Sequence, residues 1–221
     1  MKRKLVIFGA GEIAQLAHYY FTNDSAYDVV AFTVDEAFLH QNEFCGLPVV
    51  PFETVAEQFP PAENDMFVAL SYSKLNDVRK MKFEASIDRG YDMASYISSQ
   101  ATIFNAGAIG RNCFILEDNT VQPFSSIGDN VTLWSGNHIG HHSSIGNHTF
   151  ISSHVVVSGG VKIGERCFVG VNATIRDHVV IGDRCIIGAG AIILQDAEPE
   201  GVYVVSTTER SKVPSSRVRK I

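Results

Sequence analysis

Beginning at Ile103, every sixth residue of the chain is aliphatic, through Ile109, Ile115, Val121, Ile127 and Leu133, and the register never slips before Ile193. Sixteen consecutive positions on one phase leave little freedom of fold. Glycine follows the aliphatic residue at many of these steps, among them Gly110, Gly128, Gly140, Gly146 and Gly164. Two residues before it the side chain is mostly small, as at Ala101, Cys113, Ser125, Ser143, Thr149, Cys167 and Cys185. A six-residue unit is too short for a helix–turn–helix repeat. It fits a short strand plus a corner, with one aliphatic residue pointing inward and a small one where the backbone turns. No such unit buries its own face, so residues 101–193 gain stability only by stacking coil on coil.

The 221 residues are 45% hydrophobic against 19% charged, which supplies a core and argues against disorder. A formal charge of −6 offers no surface for nucleic acid or an anionic membrane. No apolar run reaches transmembrane length, and the start reads as a basic strand rather than a leader, so the expected location is the cytoplasm. Four cysteines lack CxxC spacing; three fall on the small phase of the repeat and read as core filler.

Ahead of the repeat, strands and helices alternate. Strands are expected at Lys4–Phe8, Tyr27–Val34, Leu47–Val50, Met66–Leu70 and Met93–Ile97, and helices over residues 12–22 and Asp77–Ile87. This predicts a parallel α/β sheet. The first strand–helix turn, Gly9-Ala-Gly11-Glu12-Ile13-Ala14, is a G-x-G-x-x-A loop that lets backbone N–H groups approach a phosphate. Asp35, followed by Glu36, stands where a ribose-binding acid would sit. About one hundred residues suit a mononucleotide carrier better than a dinucleotide; a tight turn that binds nothing is the bland alternative.

The hexapeptide register resembles the left-handed parallel β-helix of the hexapeptide-repeat acyltransferases, in which three hexapeptides form one triangular coil. The left hand is implied by the resemblance, since parallel crossovers in general favour the right hand. With the N-terminal unit included, the chain resembles bacterial N-acetyltransferases of nucleotide-linked 4-amino-6-deoxysugars and sialic-acid O-acetyltransferases. The resemblance implies a Rossmann-like sugar-nucleotide domain over residues 1–98 and an all-β left-handed β-helix with a C-terminal tail over 99–221. It further implies a homotrimer with sites between adjacent prisms, acetyl-CoA as co-substrate, and a role in surface polysaccharide (lipopolysaccharide or O-antigen) synthesis.

Five histidines crowd residues 138–154, which raises the possibility of zinc. His142, His148 and His154 are six apart, so they should face outward on three diverging faces and cannot meet at one ion within a chain. A shared ion between subunits, as in γ-class carbonic anhydrases of the same fold, is the competing reading. The acyltransferase resemblance uses one histidine. His141, in His141-His142-Ser-Ser-Ile145-Gly146, matches the general base, which takes the proton of the attacking sugar amine. Gly159, one coil further, leaves room for a pantetheine arm. Coenzyme A is expected along Phe150, Gly159 and Val171, and the nucleotide sugar along Gly9, Gly11, Glu12, Ile13, Asp35, Glu36 and His138. The sequence departs from the family where an acidic residue normally follows the base, His142 standing there, and where a second histidine normally contacts the cofactor, Phe150 standing there. No metal is expected. The sequence leaves the nucleotide base, the sugar, and N- against O-acylation open.

Overall fold

The computed structural model describes residues 3–210, 212 and 214–217; positions 1–2, 211, 213 and 218–221, which the expected domain spans include, lie outside the described residues. In the N-terminal part, β1 (Arg3–Phe8), α1 (Glu12–Asn23), β2 (Tyr27–Val34), β3 (Glu43–Phe44), β4 (Leu47–Pro51), α2 (Val55–Gln58), β5 (Asn64–Val68) and α3 (Asp77–Asp88) follow in order. The sheet runs β3-β4-β2-β1-β5, parallel except for the β3–β4 hairpin. β1 is central and buried from Leu5 to Phe8, as a strand covered on both faces must be. Its side chains alternate: Leu5 and Ile7 pack with Phe21 of α1, and Val6 and Phe8 with Phe83 of α3. The two helices therefore cover opposite faces.

One expected strand is corrected. Residues 93–97 do not add a strand to this sheet; Met93 makes a single bridge to Met66, and β6 (Tyr96–Ile97) already pairs with Phe114–Ile115. The apolar run there serves as the hinge into the next architecture, so its composition resembles a sheet strand while its partner is a coil.

From Tyr96 to Tyr203 the chain winds through two-residue strands that pair in parallel at a spacing of eighteen residues, as Phe150 does with Phe168 and Ile139 with Val157, until the last pair, Ile186 with Val202, shortens it to sixteen. This makes three faces, and the coil extends beyond the 101–193 register at both ends. The pattern fits the left-handed β-helix of hexapeptide repeats. Face I carries Tyr96, Phe114, Thr132, Phe150 and Phe168; face II carries Thr120, His138, Val156 and Thr174; face III carries Ser126, Ser144, Lys162 and Val180. Inside, the aliphatic phase is buried from Ile115 to Ile193, with Ile103 and Ile109 partly covered at the open end. The small phase does a second job. Ser125 Oγ donates to the carbonyl of Gly140 at 2.8 Å and Cys113 Sγ to that of Gly128 at 3.1 Å, both fifteen residues ahead. Burial pushes the Cys113 and Cys167 thiols up to about 12, so they stay protonated and unreactive.

The corner residues, six apart, have positive φ, including Asn112, Phe124, Asn130, His142, His148, His154 and Asn172. Asparagine, aspartate and histidine are the non-glycine residues that best tolerate this left-handed conformation. The six-residue spacing of the histidines is thus a backbone requirement.

Face I is the side the N-terminal unit covers. Tyr20 and Phe21 of α1 pack on Tyr96 and Phe114, and α3 crosses the corner between faces III and I. Arg79 of α3 is fully buried and donates to the backbone oxygens of Asn130 and His148 (the latter at 3.0 Å) and to Asn76 Oδ1 at 2.9 Å. Asp77, at the start of the same helix, pairs with Arg184 at 3.0 Å, which holds its carboxyl below the ordinary range. His148 leaves the prism outward, as expected, but α3 covers it: it is buried, its ring edge-on to Phe83 and its Nδ1 2.9 Å from Asn130 Nδ2. Burial, with the nearby Arg79 charge, pushes its pKa down to about 4. A base whose folded pKa lies below its unfolded value stabilises the fold above about pH 6.5 and loses that contribution as pH falls to about 4, on the order of 2–3 kcal/mol. His148→Asn continues the Asn112–Asn130 corner stack and keeps the positive φ. Its thermal melting point is expected to fall less than the parent's between pH 7 and pH 4, and parallel melting curves against pH for both proteins would refute this.

Candidate active site

The turn after β1 is built for close approach. Gly9 has φ +124°, and a Cβ there would lie 2.8 Å from the backbone oxygen of Ala69. Gly11 caps α1 with no side chain, and a Cβ added to it would meet no protein atom within 4 Å. The first-turn amides of α1 therefore open onto free space, the arrangement that favours an anion.

Three adjoining hollows run past this turn. One of about 170 Å³ is lined by Phe8, Gly9, Ala10, Val34, Asp35, Phe38, Leu70, Val78 and Lys82. A second, about 260 Å³, shares Leu70 with it and is formed by Gly11, Glu12, Ile13, Ala69 and Ser71. The third, about 510 Å³, shares Glu12, Ile13 and Ser71 and reaches the β-helix at Tyr72, Trp134, Phe150, Ser152, Ser153 and Val171. Its aromatic floor is ordered: Tyr72 lies edge-on to Phe150 at 5.0 Å, and Phe150 stacks on Phe168 at 5.9 Å. Trp134 Nε1 is buried without a hydrogen-bond partner.

Asp35 closes the first hollow and is ion-paired to Lys82 of α3. Glu36 is exposed; its amide is bonded to Glu53 and it lines none of the three hollows. Lys82, Ser71, Tyr72 and Trp134 were not singled out in the sequence. Trp134 did carry a signal, since it takes the place that glycine usually fills after the aliphatic residue.

His141 and His142 stand elsewhere, at the exposed corner between faces II and III. The His141 amide donates to Gln122 Oε1 at 2.9 Å, and its carbonyl accepts from Gly160 at 2.8 Å. Its Nδ1 is 3.0 Å from His142 Nδ1, so one ring donates and the other accepts. His142 in turn leans on Phe124 at 4.7 Å. With the shared proton on His141 Nδ1, the Nε2 of His141 is left to accept one. The ring lies over Gly159, where a Cβ would come within 2.6 Å of His141 Cε1. His138 is on face II, one strand before the corner.

The structure therefore separates the expected cofactor residues. Gly159 is under His141, whereas Phe150 and Val171 line the third hollow with Glu12 and Ile13, around another corner of the prism. The grouping was implied by the family resemblance and not by the repeat, whose eighteen-residue period sets Gly159 beneath His141 and Phe150 on face I. Among the described residues, no three histidine, cysteine or acidic side chains are grouped to hold a metal ion, and no helix is long and apolar enough to cross a membrane.

The bacterial transferase hexapeptide family (six repeats) matches residues 124–159 and 160–195. No curated protein matches the chain in sequence. Among solved structures, the acetyltransferase domain of PglB from Neisseria gonorrhoeae FA1090 is similar at 25% identity and a TM-score of 0.77, over 88% of this chain and 93% of that one. PerB from Caulobacter crescentus, solved with CoA and GDP-perosamine, shares the fold at 22% identity and a TM-score of 0.77, over 90% and 92% of the two chains. WeeI from Acinetobacter baumannii AYE shares it at 17% and 0.66, over 90% and 94%. The hexapeptide-repeat match is confined to residues 124–195, and the similar structures share the fold over most of the chain.

The contact beneath His141 gives a direct test. Gly159 has an ordinary φ, so alanine fits the backbone but pushes the ring aside. Gly159→Ala should keep the melting point within a few degrees and lower turnover about 100-fold. Unchanged turnover would show that the position of the His141 ring does not matter.

Proposed function

We propose that the chain transfers an acetyl group from acetyl-CoA to the amine of a nucleotide-linked amino sugar, a 4-amino-4,6-dideoxyhexose, in surface glycan synthesis. The carrying observation is the row of three hollows, neighbours through Leu70 and through Glu12, Ile13 and Ser71. An apolar recess, then free helix amides, then a wide basin of aromatic and hydroxyl side chains match a base, a diphosphate and a hexose in that order. Gly9, Gly11, Glu12 and Ile13 serve the diphosphate, and Asp35 the nucleoside. The similar structures support the class: the PglB domain was solved with acetyl coenzyme A, and PerB with CoA and a nucleotide-linked amino sugar.

His141 acts as general base. As the amine attacks the thioester carbonyl, Nε2 accepts its proton; the C–N bond forms, the C–S bond breaks, and the thiolate leaves to be protonated as free thiol. His142 fixes the ring through the Nδ1 contact. Because the His141 corner and the basin lie around different corners of one prism, the reaction joins them across a subunit boundary. A homotrimer, in which the base of one subunit faces the basin of the next, does this. Phe150 and Val171 then flank the acetyl-CoA thioester from the basin side and Gly159 from the base side.

The test is thiol release from acetyl-CoA in the presence of amino-sugar nucleotides, with His141→Asn expected to lower turnover at least 100-fold. A fall of less than about tenfold excludes His141 as base. Mixing examines the shared site. His141→Asn and Ser71→Trp, each inactive alone, should together regain roughly a quarter of activity when co-assembled, because some interfaces receive both intact halves. Co-assembled but inactive mixtures would mean that each site lies within one chain.

A further inference from the structure

The recess around Asp35 has a hydrogen-bonding pattern of its own. Its walls, Phe8, Val34, Phe38, Leu70 and Val78, are apolar, and its volume of about 170 Å³ admits a ring system and not merely a water molecule. Two charged groups meet at its margin. Lys82 is on α3, one turn beyond Val78, so both side chains point to the same side of the helix. Its ammonium lies 5.4 Å from the Phe8 ring centre and 5.5 Å from that of Phe52, and is paired with Asp35. The two side chains are only 19% and 23% exposed. The ion pair thus forms a semi-buried edge: two carboxylate acceptors beside one ammonium that retains protons beyond those given to Asp35.

Resting on the nucleotide-sugar reading above, we infer that the acceptor is carried on guanosine diphosphate and that Asp35 and Lys82 read the base. The Watson–Crick edge of guanine presents two donors, the exocyclic N2 amine and N1–H, beside one acceptor, O6. Asp35 accepts from both donors, as a carboxylate does in bidentate pairing, and Lys82 donates to O6. Uracil and thymine present one donor between two carbonyls. If that donor meets Asp35, one carbonyl faces a carboxylate oxygen with no proton between them. Adenine offers an amine beside a ring acceptor and no second donor. A recess with fixed, partly buried partners rejects bases that leave those partners unpaired.

This reading assigns Asp35 to the base and not to the ribose. It also accounts for Lys82, which the phosphate and sugar hollows do not use.

Calorimetric titration of the unmodified full-length protein decides the matter without any variant. GDP, inosine diphosphate, UDP, dTDP and ADP are compared in one buffer. GDP is expected to bind about 10- to 100-fold more tightly than UDP, dTDP or ADP, the usual range for a bidentate base contact. Inosine diphosphate keeps N1–H and O6 but lacks the N2 amine, and is expected to bind about tenfold more weakly than GDP. Lys82→Met should reduce the preference for GDP over UDP, and its melting curve reports whether the fold is kept. A preference for UDP or dTDP, or equal binding of all five, overturns the guanine assignment while leaving a nucleotide site in place. Equal binding of GDP and inosine diphosphate overturns the role of Asp35. Binding of none of the five overturns both this inference and the nucleotide-sugar reading beneath it.

Discussion

The structure rests on one repeated backbone contact. Along each face an amide donates to the carbonyl seventeen residues ahead, as Phe150 does to Cys167 and Gly146 to Ile163. At the corners the direction reverses, with His148 donating back to Asp129 and Gly160 back to His141. Together these bonds satisfy the backbone of strands only two residues long, which could not persist alone. They also transmit position. Each coil fixes the phase of the next, so the face that carries Phe114 must carry Phe150 and Phe168 as well. The N-terminal unit, the basin and the His141 corner all inherit their placement from this ladder.

The six-residue register was legible in the sequence because it is written in one residue per step, each buried for the same reason. The alternation of strand and helix before it was legible too, down to the span of β2. The eighteen-residue period was harder to see, though it was present. The aromatic residues at 96, 114, 150 and 168 are spaced in multiples of eighteen and mark the covered face. Read at a period of six they disappear among polar neighbours. The family resemblance groups Phe150, Gly159 and Val171 about the cofactor, whereas within one chain Gly159 lies at a different corner of the prism from Phe150 and Val171. Lys82 had no local signal at all: only the packing of α3 against β1 and β2 brings its ammonium to Asp35.

The junction between the two architectures explains why several polar residues are buried. Lys74, Leu75 and Asn76 all have positive φ, an uncommon run for non-glycine residues. The turn is held because Asn76 is buried, donating to the carbonyl of Cys167 at 3.0 Å and accepting from Arg79. Arg79 itself carries a charge into a region without a carboxylate partner, and burial lowers its pKa to about 10. Backbone carbonyls of the corner between faces III and I supply the compensation. One consequence is local. Ser71 and Tyr72, which wall the basin, hang from this turn, so the helix contact that joins the two parts also sets the width of the hollow.

The ladder has a further implication for how such a protein can change. Neighbouring coils are separated by one strand spacing, about 4.8 Å. The height of His141 along the prism, relative to a basin at Phe150 and Ser153, is therefore graduated like the marks on a ruler. Gain or loss of a coil keeps every phase and displaces His141 by a whole mark. Gain or loss of six or twelve residues keeps the aliphatic side chains inside but carries every later residue to another face, and a number that is not a multiple of six turns them outward. The distance between His141 and the basin thus has no fine adjustment in the scaffold. Gradual change in the shape of the basin must fall instead on the residues that wall it, where side-chain length varies without disturbing the winding.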